Sequence, residues 1–349
     1  MCLVYKGENF MEKRDLAIIT NSAVNWRMYL NSTVLVTGAT GRLGRYILEV
    51  LADVDLQYNL NMRIVGLARS EEKAKNVFED LLDLPNVDFL YQDVNSPIKY
   101  EGNIDYIFHT AGPAAPKDYD SPTSTLWSHV NGTHNIMECA KKCKTKRVFY
   151  ISTVEIYGEW KSDEKIREND MGIMQHLNAR ACYPEAKRLC ETMLATYKNE
   201  YGISFCGVRL CHTLGPGIVL DDGRGFAEFM DCVLKDQDIV LHSDGGAMRT
   251  YTYVADAVNA IFLIMDKGED GFYNVANESN LISIRDLAET MVTLLPNKTC
   301  KVRFSEEASK LQYLPFKLAI LDSSKVRELG WKPVTDIKTM FKWTLESFL

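Results

Sequence analysis

No pair of cysteines in this sequence has the Cys-x-x-Cys spacing, and the six histidines are scattered, so no zinc-ligand framework is present. The nine cysteines therefore read as buried free thiols, which points to a reducing compartment, with the cytoplasm as the expected location. No apolar run reaches the roughly 18–20 residues that cross a bilayer, which argues against a membrane partner. The first residues also lack the basic segment, apolar core and cleavage site of a secretory leader. Basic charge is not in excess either: a net charge of -7 argues against nucleic acid as the main partner. An acidic protein can still hold an anionic ligand through a local arginine cluster. Repeats and low-complexity linkers are missing too. What is present is a chain of 349 residues with 46% hydrophobic content, enough for a full core and one large domain, with or without an annex.

Residues 1–31 read as a helical extension. Leu16, Ile18, Ile19, Val24, Trp26, Met28 and Leu30 suggest that it docks on the body. From residue 33 the pattern alternates. Strands are expected at 33–37, 62–67, 87–91, 104–109 and 147–152, with helices near 43–53, 70–83 and 123–143. Such alternation implies right-handed crossovers and an α/β, doubly wound parallel sheet of the Rossmann type over 32–210. After about residue 205 the regularity weakens. Short strands (203–210, 238–242, 271–276) mix with helices near 225–235, 254–266, 283–295 and 335–348. Residues 211–349 read mainly as a smaller lobe that closes over the sheet's carboxyl edge, with some segments returning to the first domain.

The chemistry begins at Thr37–Gly44, where an apolar strand runs into a turn with glycines 38, 41 and 44 that opens a helix. Gly38 permits the tight turn, Gly41 lets a phosphate approach the backbone, and Gly44 lets helix pack on strand. Free N–H groups at the helix start, around Arg42 and Leu43, then meet a pyrophosphate. The expected ligand is a dinucleotide, NAD or NADP. An acidic residue after the second strand would favour NAD, and an arginine a 2′-phosphate. Arg69 and Ser70 stand there, and Arg69 with Ser70 and Arg42 could hold that phosphate. Arg69 could equally stack on adenine or begin the next helix. Asp93, followed by Val94 after the third strand, is placed for the adenine amine, or is a plain surface carboxylate. Thr110, Ala111 and Gly112 offer small residues where backbone must pass close to the cofactor.

Tyr183 and Lys187 are four apart and share a face if helical, with Pro184 suited to the first helical position. A tyrosine near pKa 10 is a poor base. A neighbouring ammonium and the positive nicotinamide favour its phenolate. Thr153, at the end of the fifth strand, can orient a reacting hydroxyl.

These segments resemble the extended short-chain dehydrogenase/reductases, the NAD-dependent epimerase/dehydratase group. Within it they are most similar to UDP-glucuronate decarboxylases (UDP-xylose synthases). The likeness lies in 109–116, 130–135, 152–158, Arg-Ala-Cys-Tyr-Pro-Glu-Ala-Lys-Arg at 180–188, Asp-Gly-Arg at 222–224, 249–256 and Leu-Gly-Trp-Lys-Pro at 329–333. It leaves the first 31 residues outside. The resemblance implies Tyr183 as base, Lys187 as its electrostatic partner and a ribose ligand, Thr153 as hydroxyl orienter and Glu155 as an aid to proton movement at C5. It places Pro113, His212, Arg224 and Arg249 on a nucleoside-diphosphate sugar, the last two on the nucleotide. It also implies a homodimer through helices 123–143 and 183–201. Some positions depart from the pattern. Val154 stands where dehydratases carry Asp and decarboxylases commonly Ser, His212 replaces an asparagine, and Gly217 an arginine. The expected activity is transient oxidation at C4, then decarboxylation of a C6 carboxylate. A 4-epimerase, an NADPH-dependent 4-keto-sugar reductase and a non-catalytic dinucleotide-binding regulator are the alternatives.

Overall fold

The computed structural model describes residues 11–162, 164–305 and 320–349. Residues 1–10 of the expected extension lie outside that set. The chain runs α1 (Lys13–Thr20), β1 (Thr33–Thr37), α2 (Arg42–Tyr58), β2 (Arg63–Ala68), α3 (Glu71–Val77), α4 (Glu79–Leu82), β3 (Val87–Tyr91) and β4 (Tyr106–His109). There follow α5 (Pro122–Lys142), β5 (Arg147–Thr153), α6 (Cys182–Tyr201), β6 (Ser204–Leu210), β7 (His212–Leu214), α7 (Gly225–Leu234), β8 (Ile239–Leu241) and β9 (Met248–Tyr253). The last elements are α8 (Val254–Lys267), β10 (Gly271–Val275), β11 (Leu281–Ser283), α9 (Ile284–Met291), β12 (Val302–Phe304), α10 (Ser324–Glu328) and α11 (Ile337–Glu346).

Seven parallel strands form the central sheet in the order β10-β6-β5-β4-β1-β2-β3. Val34, Leu35 and Val36 are all fully buried, as a strand covered on both faces requires. Val34 and Val36 join the core that contains α2 and α8, while Leu35 faces the one built with α5 and α6. Strand order reverses between β2 and β4 on either side of β1. That switch point opens a crevice at the carboxyl ends of β1 and β4.

Several expected elements shift. Segments 203–210 and 271–276, expected as short strands beyond the regular part, are β6 and β10, which complete one side of the central sheet. The helix expected at 70–83 divides at Phe78, whose φ of -126° leaves the helical region. Pro184 is the third helical residue rather than the first, since α6 already starts at Cys182. A three-stranded sheet, β11-β9-β7, and the parallel pair β12-β8 stand beside the main sheet. β7 follows β6 after a single residue, so this second sheet hangs directly from the carboxyl edge of the first.

Candidate active site

At the crevice, Thr37 Oγ1 lies 2.8 Å from His109 Nδ1 and accepts the N–H groups of Thr110 and Ala111, each at 3.2 Å. With both lone pairs of Thr37 Oγ1 taken, its proton goes to His109 Nδ1, and His109 Nε2–H turns to Thr133 Oγ1 at 3.2 Å. Burial keeps this imidazole neutral, pushing its pKa down to about 3. Thr110 Oγ1 donates to Thr37 O at 2.7 Å, so the ends of β1 and β4 are stitched together. The turn from β1 into α2 has no room for a side chain at Gly38 or Gly44. A Cβ on Gly38 (φ +64°) would sit 2.9 Å from the Ala111 backbone, and one on Gly44 2.3 Å from Gly38 O. Gly41 ends the turn ahead of α2 without a side-chain cap, leaving first-turn N–H groups directed at a ligand. This cradle fits a dinucleotide pyrophosphate.

The outlying cofactor candidates are placed as follows. Leu43 packs half-buried against the α2 core. Arg69 is exposed at the end of β2, and Ser70 Oγ accepts from Lys73 N to cap α3. Asp93 accepts from both N and Nδ2 of Asn95 at 2.9 Å, a local turn in an exposed loop. Val94 is buried and its carbonyl accepts from Asn135 Nδ2 at 2.9 Å. Gly112 lies against the His129 ring. Arg42 departs from its expected place beside Arg69. Its Nη2 donates 2.8 Å to Thr213 O on β7, across the crevice.

The catalytic candidates converge at the end of β5. Tyr183 is buried in the first turn of α6, and Lys187 follows one turn on, its Nζ donating 2.8 Å to Ile151 O and lying 5.9 Å from the Tyr183 ring centroid. Burial pushes the Lys187 ammonium down to about 8. Burial also raises the Tyr183 phenol well above its ordinary value, with the Glu155 charge adding to it. The Thr153 hydroxyl and the Arg224 and Arg180 charges oppose. The expected lowering of this phenol by Lys187 is therefore outweighed by desolvation in the protein alone. Glu155 accepts from Arg180 Nη2 at 2.8 Å; burial lifts its carboxyl above the usual range, against the pull of Arg180 and then Arg224.

Three residues that sequence reasoning missed complete the walls. The Tyr119 ring lies 5.3 Å from the Tyr183 ring, and the Arg180 guanidinium 4.1 Å from the Tyr119 centroid. His129 stands 5.4 Å from the Tyr183 ring and donates Nε2–H to Pro113 O at 2.8 Å. Arg180 sits three residues before Tyr183, a spacing that could have flagged it. Tyr119 and His129 carry no such signal, because each arrives from another element.

Opposite, His212 stacks on Tyr251 (5.5 Å, 30°) and is pushed down to about 3 by burial, then by the charges of Arg249 and Arg224. His212, Arg249 and Val154 line one shallow cleft, which also touches Thr250 and Leu321. Arg249 Nη1 donates to Met248 O at 2.8 Å. Arg224 Nη2 donates to Ala114 O at 2.6 Å and its Nη1 pairs with Asp222 at 3.1 Å. The substrate candidates thus surround the catalytic ones, with Pro113 in the loop between.

Fold and site together define a dinucleotide-dependent enzyme of the Rossmann class. Residues 34–276 match the model of the NAD dependent epimerase/dehydratase family. The chain belongs to that family. It is similar to UDP-glucuronic acid decarboxylase 6 of Arabidopsis thaliana, at 28% identity over 311 residues, which cover 88% of this chain and 86% of the relative. Among solved structures, a UDP-glucose 4-epimerase of Thermotoga maritima with UDP-glucose aligns with a TM-score of 0.72 at 21% identity, covering 90% of this chain and 98% of that one. A dTDP-glucose 4,6-dehydratase of Bacillus anthracis in complex with NAD aligns at 0.71 and 18% identity, covering 91% and 96%. Among the described residues no helix is long and apolar enough to cross a membrane.

Proposed function

We propose that this protein decarboxylates a nucleoside-diphosphate hexuronate, with UDP-glucuronate as the first substrate to test. One observation carries the reading: Tyr183 from α6, Thr153 at the end of β5 and Glu155 two residues further on come together at the carboxyl edge of the sheet. The bound dinucleotide supplies reversible hydride exchange at C4. Thr153 orients the C4 hydroxyl, and Tyr183 takes its proton as the phenolate, the form that the Lys187 ammonium and the positive nicotinamide of a bound cofactor would favour. A C4 ketone is β to a C6 carboxylate, so carbon dioxide can leave and the electrons stay on C5. Glu155, with its raised pKa, holds the proton that C5 then needs. Tyr183 returns its proton to the C4 oxygen as the carbon is reduced again.

Val154 favours a second reading. It is buried in a small apolar cluster with Ile156 and Tyr157, and puts neither acid nor hydroxyl beside Glu155. This counts against 4,6-dehydration and keeps a 4-epimerase open. Incubation with UDP-glucuronate should yield carbon dioxide and a UDP-pentose by mass spectrometry. Neither product, together with turnover of UDP-glucose or UDP-galactose, replaces the decarboxylase with the epimerase. Tyr183→Phe should abolish either activity and leave cofactor binding intact.

A homodimer through α5 and α6 belongs to the same proposal. Trp127 on α5 and Leu189 on α6 are 53% and 49% exposed, a large apolar outlay for a free surface. The eight cysteines among the described residues are all unpaired, which supports a reducing, cytoplasmic location.

A further inference from the structure

We propose that Arg42 is a diphosphate ligand: its guanidinium, rooted beside the glycine turn, grips the pyrophosphate of the bound dinucleotide. This rests on the dinucleotide-dependent reading above and adds a side chain to a cradle otherwise built of backbone. Three observations converge. Arg42 is the first residue of α2, next to the uncapped Gly41 and the turn in which a Cβ on Gly38 or Gly44 would clash. Its guanidinium is underused. Nη2 donates to Thr213 O at 2.8 Å, while Nη1 is buried and has no hydrogen-bond partner among the described residues. Its charge is also unbalanced. Asp222, whose field it feels, is committed to Arg224 at 3.1 Å, and the Arg224 charge itself works against Arg42.

Arg42 is half-buried overall, and its buried, idle N–H edge is costly unless an anion completes it. The planar fork suits a doubly bonded oxyanion, and the nearest backbone feature built for one is the helix mouth from which the side chain springs. Phosphate chemistry is thus indicated. Two diphosphates could supply it, the cofactor's and the substrate's, and the attachment at the glycine turn favours the cofactor's. The bond to Thr213 gives this contact a reach that a backbone N–H lacks, because it ties the cofactor site to β7 of the second sheet.

The test uses cofactor-stripped full-length protein, Arg42→Met and Arg42→Lys, titrated calorimetrically with NAD, adenosine and UDP, plus thermal unfolding without ligand. Arg42→Met should weaken NAD by roughly ten- to a hundredfold, with partial recovery in Arg42→Lys. Adenosine and UDP affinities should hold, and the ligand-free unfolding temperature should not fall, since an uncompensated charge has been removed. NAD affinity within twofold of wild type overturns the proposal. So does equal weakening of adenosine with a lower unfolding temperature, which marks Arg42 as a strut between the sheets. Selective loss of UDP affinity overturns the cofactor assignment and moves the contact to the substrate. Wild-type protein that binds no dinucleotide overturns the functional reading itself, a result distinct from wild-type binding that Arg42→Met leaves intact.

Discussion

Two carboxylate–guanidinium pairs, one buried and one half-buried, lie along α6, the helix that carries Tyr183, and they are built to opposite ends. Glu191 and Arg209 meet at 2.7 Å with side chains 9% and 7% exposed. Ser152 Oγ donates to Glu191 at 2.6 Å, while Arg209 spends its remaining N–H groups on Tyr157 Oη and Glu168 O. Tyr157 Oη donates in turn to Asn274 Oδ1 at 2.6 Å. Glu155 and Arg180 meet at 2.8 Å, but Arg180 Nη1 is buried without a hydrogen-bond partner among the described residues, and the Glu155 carboxyl is pushed towards its neutral form. The same two charges make mortar where every polar atom is answered, and a proton store where one is not.

The comparison breaks first at Arg209. Arg209→Met strands the Glu191 carboxylate and should cost about 3–5 kcal/mol in chemical denaturation. A loss below about 1 kcal/mol would show that this pair holds nothing together. Glu155→Gln should do the reverse, with stability within about 1 kcal/mol of wild type and turnover of UDP-glucuronate reduced roughly 10²–10⁴-fold.

Lys187 sits between the two pairs, and its pH behaviour sharpens the contrast. Its folded pKa of about 8 lies below the ordinary 10.5, so the unfolded chain binds more protons between these values. The stability it contributes is full above 10.5 and is lost as pH falls through 8. Against Lys187→Met, wild-type unfolding free energy should rise across that window by up to about 1.4 kcal/mol per pH unit. A flat difference would mean the ammonium is solvated. A smaller effect is expected at Arg180. Arg180→Met should move the alkaline limb of the rate profile upward, because burial then acts on Glu155 without its main opponent and its carboxyl keeps its proton to higher pH. Smallest is Lys117→Ala, which removes an exposed pair with Asp221 (2.7 Å) and should shift stability by less than about 0.5 kcal/mol.

How much of this was legible in the sequence depends on distance along the chain. The glycine turn and the Tyr183–Lys187 pair are local: each is fixed within one turn or one strand end, so spacing read together with the flanking strand, helix and Ser-Thr strand end exposes them. The alternation of strands and helices yields the parallel sheet for the same reason. The second sheet was not legible, since β7, β9 and β11 are three to six residues long and draw their order from pairing far apart in sequence. Nor were Tyr119, His129 or the direction of Arg42. Each depends on which surface a long side chain meets after the lobes pack, and no period in the sequence encodes that. The direction of the Tyr183 shift was missed likewise, because desolvation is set by the whole enclosure.

The segment ahead of β1 changes what a minimal version of this protein must contain. Asp15 on α1 is completely buried, accepting from Tyr46 Oη of α2 at 2.6 Å and from Tyr253 Oη of β9 at 2.8 Å. One short helix thereby pins the nucleotide-facing half to the other. A truncation that begins at the first strand would remove the carboxylate that these two phenols share, and with it this tie between α2 and β9.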